Sequence, residues 1–229
     1  MSPLLALFLL ALAVPMSAAL LAAAAPAFEA HAIALEAKYL TGRCLAFVLL
    51  VLCAPLLAVL AVAVRCTSRG PVLFRQARVG QGGETFLMLK LRSMRVGDDG
   101  GFVPPPGGAP GGVEGVDRRT AVGRLLRRSS LDELPQLWNV VRGDMALVGP
   151  RPERPEHVAR FSDEVAGYAD RHRVRVGLTG LSQVKGQRGA DSCIVTRTAL
   201  DNDYIDSWSL ALDLRILGAT AGAVLRGAA

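Results

Sequence analysis

The residues best suited to chemistry lie between Arg127 and Glu153, in the run RRSSLDELPQLWNVVRGDMALVGPRPE. Two adjacent carboxylates, Asp132 and Glu133, follow Arg127 and Arg128 and precede a Gly-Pro-Arg-Pro turn. Adjacent carboxylates repel, so one tends to hold its proton unless a cation neutralises the pair. The arginines can supply that charge. So can Mg2+, which prefers one or two carboxylates plus substrate phosphate oxygens. A carboxylate can also attack phosphorus and form an acyl phosphate. Arg151 stands between Pro150 and Pro152, on a stiff backbone suited to bidentate phosphate contacts. Lys90 and Arg92 alternate with Leu89 and Leu91, which places both cations on one face of a strand. Singly, each cation reads as a solvated surface charge. Together with the acidic pair they point to phosphate chemistry.

A purely structural reading competes. Ser130-Leu131-Asp132-Glu133 fits the S-x-x-E capping box, in which the two side chains satisfy free amides at a helix start. Pro135 opposes that reading in its plain form. In a helix begun at Ser130, its ring would crowd the Leu131 carbonyl four residues back. The regular helix is therefore expected near Leu134-Pro135, with the acidic pair just ahead of its N-terminus, where the dipole favours an anion.

The elements that must carry these residues follow from the rest of the chain. At 229 residues it is long enough for one domain with a core, or one domain plus membrane segments. Residues 1–28 carry no charge before Glu29 and predict a membrane helix; a cleaved signal or a misplaced start codon are the alternatives. Residues 29–43 form a connector. Residues 44–64 are 21 uncharged residues, long enough to cross a bilayer. Pro55 at their middle should kink the helix. Lys38 and Arg43 precede it and Arg65, Arg69, Arg75 and Arg78 follow, and the positive excess places the C-terminal side in the cytoplasm; if the first segment spans with its N-terminus outside, the connector is cytoplasmic too. A re-entrant helical hairpin satisfies the proline and the charges; a plain spanning helix is the alternative.

Residues 65–229 read as a soluble α+β domain, mainly helical. PVLFRQARVG and ETFLMLKLRSM predict a small β-hairpin across the Gly80–Gly83 turn. The Gly- and Pro-rich residues 97–115 predict a flexible loop. Helical patterns follow at residues 120–128, 135–142, 153–173 and 194–207. The stretch 209–226 is apolar enough to lie on a membrane surface or to complete the core. Four cysteines without CxxC or His at ligand spacing argue against structural zinc and a disulfide framework. The net charge of +6 calls for an anionic partner: lipid headgroups, a phosphorylated substrate or nucleic acid. With no interleaved aromatics or recognition motif, nucleic acid is not expected.

The runs GPVLFRQARVGQGGETFLMLKLRSM, RRSSLDELPQLWNVVRGDMALVGPRPE, GLTGLSQVKG and DYIDSWSLALDLRIL, in that order, resemble the bacterial sugar transferases. These are the monotopic polyprenol-phosphate phosphoglycosyl transferases. The likeness covers about residues 39–217. It implies a bacterial inner-membrane enzyme with its catalytic domain facing the cytoplasm. Such an enzyme moves sugar-1-phosphate from a nucleoside-diphosphate sugar, here UDP-linked, to polyprenol phosphate, and it requires Mg2+. It also implies that Asp132 is the nucleophile and the protein ligand of Mg2+, with Glu133 as its partner. Arg127 matches a phosphate-contacting basic residue, Pro150-Arg151-Pro152 the nucleotide end of the donor, and Pro55 the hairpin break. Oligomeric state and the identity of the sugar stay open. Three positions depart from the pattern: Ala54 replaces a frequent Ser, CLAFVLL lacks an early acidic residue, and Val176 replaces a Pro. A scaffold with a degenerate enzyme fold is a weaker alternative, because the set Lys90, Arg127, Asp132, Glu133 and Arg151 is intact.

Overall fold

The computed structural model describes residues 27–97, 108–110, 117–189 and 192–225. The uncharged segment 1–26 therefore lies outside the described residues, and so does most of the Gly- and Pro-rich loop. The described chain is mainly helical, with two small two-stranded sheets.

Helix α1, Ala27–Thr67, is 41 residues long and runs through Pro55 as a single helical element. Residues 29–43 are thus its first turns and not a separate connector. The expected two arms of a hairpin are also not separate elements. At 1.5 Å per residue the element measures about 60 Å, twice the hydrocarbon thickness of a bilayer. Its outer positions are apolar and open: Leu52, Val59 and Val62 are each more than 60% exposed. The inner stripe is different. Ala46 and Leu50 join the core of Met88, Leu137, Val140, Met145 and Val176, while Leu57, Leu60 and Val64 pack with Leu91 and Leu126. With Tyr39, these contacts recur at intervals of three, four or seven residues, the spacing of one helix face.

A polar clamp fixes the start of this stripe. The Lys38 ammonium pairs with Asp213 at 3.2 Å and lies over the rings of Tyr204 and Trp208. The Tyr204 hydroxyl and the Trp208 indole also donate to Asp213, at 2.7 and 3.1 Å. Lys38 alone would be costly to bury; here its charge is matched and its donors are used.

Strands β1 (Leu73–Val79) and β2 (Thr85–Leu91) pair antiparallel across the Gly80–Gly83 turn, as expected. Helix α2 (Ala121–Arg128) starts from Thr120, whose hydroxyl accepts from the Gly123 amide. Helix α3, Gln136–Arg142, starts one residue after Pro135. Asn139 on α3 is fully buried and anchors it to the hairpin. Its side chain accepts from the Leu89 amide at 3.0 Å and donates to the Leu87 carbonyl at 2.8 Å, closing the outer edge of β2. An unpaired edge there would leave buried backbone groups unsatisfied.

Strands β3 (Ala146–Val148) and β4 (Gly177–Thr179) form a parallel pair that period-two reading missed, because three residues are too few to show alternation. Glycine makes their ends fit. A Cβ on Gly177 would stand 2.1 Å from the Gly149 nitrogen, and one on Gly149 2.4 Å from the Arg175 carbonyl. The predicted helix 153–173 resolves into α4 (Pro155–Glu164) and a 3-10 segment, Tyr168–His172, divided at Gly167 with φ 71°. A short α5 (Leu181–Val184) precedes α6 (Ile194–Asp206) and α7 (Leu210–Leu225). Helix α7 completes the core through Ile216 while Leu210 and Leu214 stay exposed. Residues 108–110 correct part of the flexible-loop expectation. Ala109 is buried among Phe161, Tyr168 and Ile194, and its amide donates to the Ser192 carbonyl at 2.8 Å.

Candidate active site

The acidic pair sits in the 3-10 turn Leu131–Glu133 between α2 and α3. Ser130 enters that turn at φ 54°, the one left-handed non-glycine among the described residues, at a cost of about 1–2 kcal/mol. Its hydroxyl is buried without a hydrogen-bond partner, so it caps nothing. The capping-box reading therefore fails. The Glu133 carboxylate turns away from the helix start and meets cations drawn from three other places.

Lys90 on β2 donates to one Glu133 oxygen at 2.9 Å, and the Arg151 guanidinium lies 4.0 Å from the same atom. Arg188, from the loop after α5, donates to the other oxygen at 2.7 Å. Burial alone would raise the Glu133 carboxyl. Lys90, Arg151 and Arg188 overcome that and hold it far below the ordinary carboxylate range. Asp132 goes the other way. Burial pushes its carboxyl up, Glu133 beside it adds to the rise, and Lys90, Arg127 and Arg188 only partly offset them. One carboxylate is held in its ionised form and tied down by three cations. Its neighbour is the more basic of the two and lines an open cleft.

The cleft holds about 750 Å3 and contains nine basic side chains: Arg75, Arg78, Lys90, Arg92, Arg95, Arg118, Arg127, Arg151 and Arg154. Among the described residues Asp132 is the single acid on its wall. Such a wall favours a ligand with several negative charges, and its low-dielectric base strengthens each contact. Burial depresses Lys90, and Glu133 opposes that by favouring the ammonium. Arg92 lines the cleft as expected, but its guanidinium donates to the Ser68 carbonyl at 2.7 Å, tying the wall to the end of α1.

The Pro150–Pro152 segment is held by its carbonyls. Pro150 accepts from the Gly177 amide at 2.8 Å, Arg151 from Arg171 at 3.0 Å, and Pro152 from Arg78 at 3.0 Å. The next carbonyl, on Glu153, accepts from the Val79 amide at 2.9 Å. Four consecutive residues are thus pinned by three different parts of the fold, β1 holding two of them, which fixes where the Arg151 side chain emerges.

Beneath this segment lies a buried ionic layer that the sequence did not disclose. The Glu153 carboxylate accepts from Arg197 at 2.6 Å, and Asp201 accepts from Arg171 at 2.7 Å. All four residues are at most 2% exposed. Glu153 read as the first residue of a helix, and Arg171, Arg197 and Asp201 only as positions within helical patterns. Arg188 was missed too, although QRG follows a motif already singled out; nothing local says which way it points. Of the residues singled out beforehand, Lys90, Arg92, Arg127, Asp132 and Arg151 line the cleft; Glu133 lies behind Lys90 and Arg151, which it pairs with, and Pro150 and Pro152 flank Arg151.

A divalent cation fits this donor set in one way. Among the described residues no three His, Cys, Asp or Glu side chains gather as a self-sufficient cage. Both Glu133 oxygens are engaged by cations, leaving the Asp132 carboxylate as the available hard donor. One carboxylate plus ligand phosphate oxygens is the arrangement Mg2+ accepts.

The model of the bacterial sugar transferase family matches residues 33–227. A UDP-glucose:undecaprenyl-phosphate glucose-1-phosphate transferase of Caulobacter vibrioides is 48% identical over 79% of this chain and 66% of its own length. The transferase of the same name from Xanthomonas campestris pv. campestris is 45% identical over 82% of this chain and 39% of its own. An uncharacterized sugar transferase of Bacillus subtilis is 38% identical over 79% of this chain and 83% of its own. The chain thus spans just under two thirds of the first relative and well under half of the second.

Proposed function

Because the chain belongs to the bacterial sugar transferase family, we propose that it transfers sugar-1-phosphate from a UDP-sugar to a polyprenol phosphate in the bacterial inner membrane. The observation that carries this reading is the asymmetry of the pair: Glu133 is locked by cations while Asp132, more basic, opens on a cleft with nine basic side chains. An Asp132 oxygen attacks the donor phosphorus that bears the sugar, and a new O–P bond forms as the pyrophosphate P–O bond breaks. UMP leaves with that bonding electron pair. An oxygen of the lipid phosphate then attacks the same phosphorus, the Asp132–phosphorus bond breaks, and the carboxylate is regenerated. Covalent capture divides one transfer between two large anions into two single displacements.

Lys90, Arg127 and Arg151 face the phosphates and stabilise the charge that accumulates on their oxygens. Mg2+, held by Asp132 and the donor phosphates, would supply further neutralisation of the diphosphate. In membranes supplied with polyprenol phosphate, Mg2+ and a panel of UDP-sugars, the protein should release UMP with at least one donor. UDP-glucose comes first, since two of the relatives above carry it in their names. Absence of UMP across the panel, with folded protein, would overturn the assignment.

The α1 contacts support a re-entrant course. Ala46 and Val64, 18 residues apart, would be about 27 Å apart along a straight helix, yet both are buried against the same domain. A helix crossing perpendicular to the bilayer would hold one of them at the far face, away from that domain. Pro55 between them is a site where helices bend. In a chain stripped of its four cysteines, Glu36→Cys and Ser68→Cys should both label from the cytoplasm. Labelling from opposite sides would establish a spanning helix instead.

A further inference from the structure

The cleft runs along β1, and its chemistry changes along that strand. At one end stand Pro71, Leu73 and Phe74; towards the other come Arg75 and Arg78. Leu73 and Phe74 are 37% and 45% exposed, unusual for large apolar side chains at the mouth of a cationic site. Val96, 73% exposed, lines the same end. The apolar end also adjoins the membrane helix. Gly70, three residues beyond α1, packs against Val96 and the Arg92 guanidinium, and Arg92 in turn bonds the Ser68 carbonyl.

Phe74 is the residue closest to the chemistry. It pairs with Lys90 across the β1–β2 ladder. Directly opposed residues of an antiparallel pair share a face, with Cβ atoms about 5 Å apart. Lys90 holds Glu133 on that face, so the Phe74 ring stands beside the lysine that fixes the acidic pair.

Resting on the transferase reading above, we propose that Pro71, Leu73, Phe74 and Val96 form the acceptor subsite. They seat the first isoprene units of the lipid, so that its phosphate enters from the α1 side and reaches Asp132. The ligand has to be apolar at one end and anionic at the other, and its tail has to leave toward the bilayer. Pro71, Leu73, Phe74 and Val96 make that end of the cleft the more apolar one, with Arg92 and Arg95 beside it to meet the lipid's phosphate side. A nucleotide in the same position would put its ribose hydroxyls against Pro71, Leu73 and Val96, whose side chains offer them no hydrogen bonds.

The test separates tail, headgroup and donor. Phe74→Ser and Phe74→Leu are assayed with a water-soluble polyprenyl phosphate of two isoprene units, so that membrane partitioning does not enter. Exchange of labelled UMP into the UDP-sugar without acceptor reports the donor half-reaction. Phe74→Ser should raise the acceptor KM about tenfold, the effect of exposing apolar surface that a ring had covered. Phe74→Leu should recover most of it, and inhibition by inorganic phosphate should be the same in all three proteins. An unchanged acceptor KM in a protein that still exchanges UMP would overturn the subsite. A raised donor KM instead would assign the ring to the nucleotide. Failure of the parent protein to exchange UMP would remove the covalent intermediate but leave the acceptor KM comparison readable.

Discussion

Asp132→Asn should reduce UMP release and UMP exchange by at least about 10^3-fold, the order expected when a covalent nucleophile is removed. The amide matches the carboxylate in size, so the 3-10 turn and the cations around Glu133 should keep their places. Donor binding, followed by protection against thermal unfolding, should survive. Full exchange in the Asn variant would end the nucleophile assignment. The parent protein adds a pH signature. Burial raises the Asp132 carboxyl above its ordinary value, so the reactive carboxylate is lost as pH falls through that raised value, sooner than for a surface aspartate. Glu133 is held below the usual range and stays ionised throughout that window. The acid limb of the rate profile should therefore disappear only with changes that move Asp132.

The second large effect concerns stability. Glu153→Gln should cost about 3–5 kcal/mol, because it leaves the fully buried Arg197 guanidinium without its carboxylate. Against a typical total of about 5–15 kcal/mol, that is enough to lower the yield of folded protein. Unfolding in detergent measures it. The double variant Glu153→Gln/Arg197→Met should recover a substantial part, since neither charge is then stranded. No recovery would mean that Glu153 acts mainly through Arg78, 3.6 Å from its other oxygen. The sign with pH follows from the folded state. Burial would raise the Glu153 carboxyl, but Arg197, Arg171 and Arg78 together hold it below its ordinary value. The stability it contributes is thus complete above an unfolded value of about 4.3 and is lost as pH falls through the folded one.

Local signals made part of this legible. Thr120 ahead of an amphipathic run, Pro135 and the Gly80–Gly83 turn each impose a backbone rule within a few residues, and the corresponding elements start or turn there. The chemistry of the pair was legible for a similar reason, since carboxylates and arginines crowd one short run. What escaped was set by partners far away in sequence. Arg188 reaches Glu133 across 55 positions, and Arg197 reaches Glu153 across 44. An isolated Arg gives no sign of which acid it will meet. Asn139 was the nearest to a usable hint: an amide among Leu137, Val140 and Val141 on a helix against the core has to bond something, and the β2 edge was its partner.

The stripe along α1 divides that helix into positions that will accept change differently. Its outer residues, such as Leu52, Val59 and Val62, need only stay apolar, so exchanges among Leu, Val, Ile and Ala leave their role intact. On the inner face shape matters as well. Ala46 is fully buried in the core, so a larger residue there would pry the helix from the domain while leaving its hydropathy untouched. Damage of that kind would be invisible to any profile of hydrophobicity. It would appear as a chain whose apolar helix is unchanged in hydropathy, but with Lys90 and the acidic pair no longer held at their working distance.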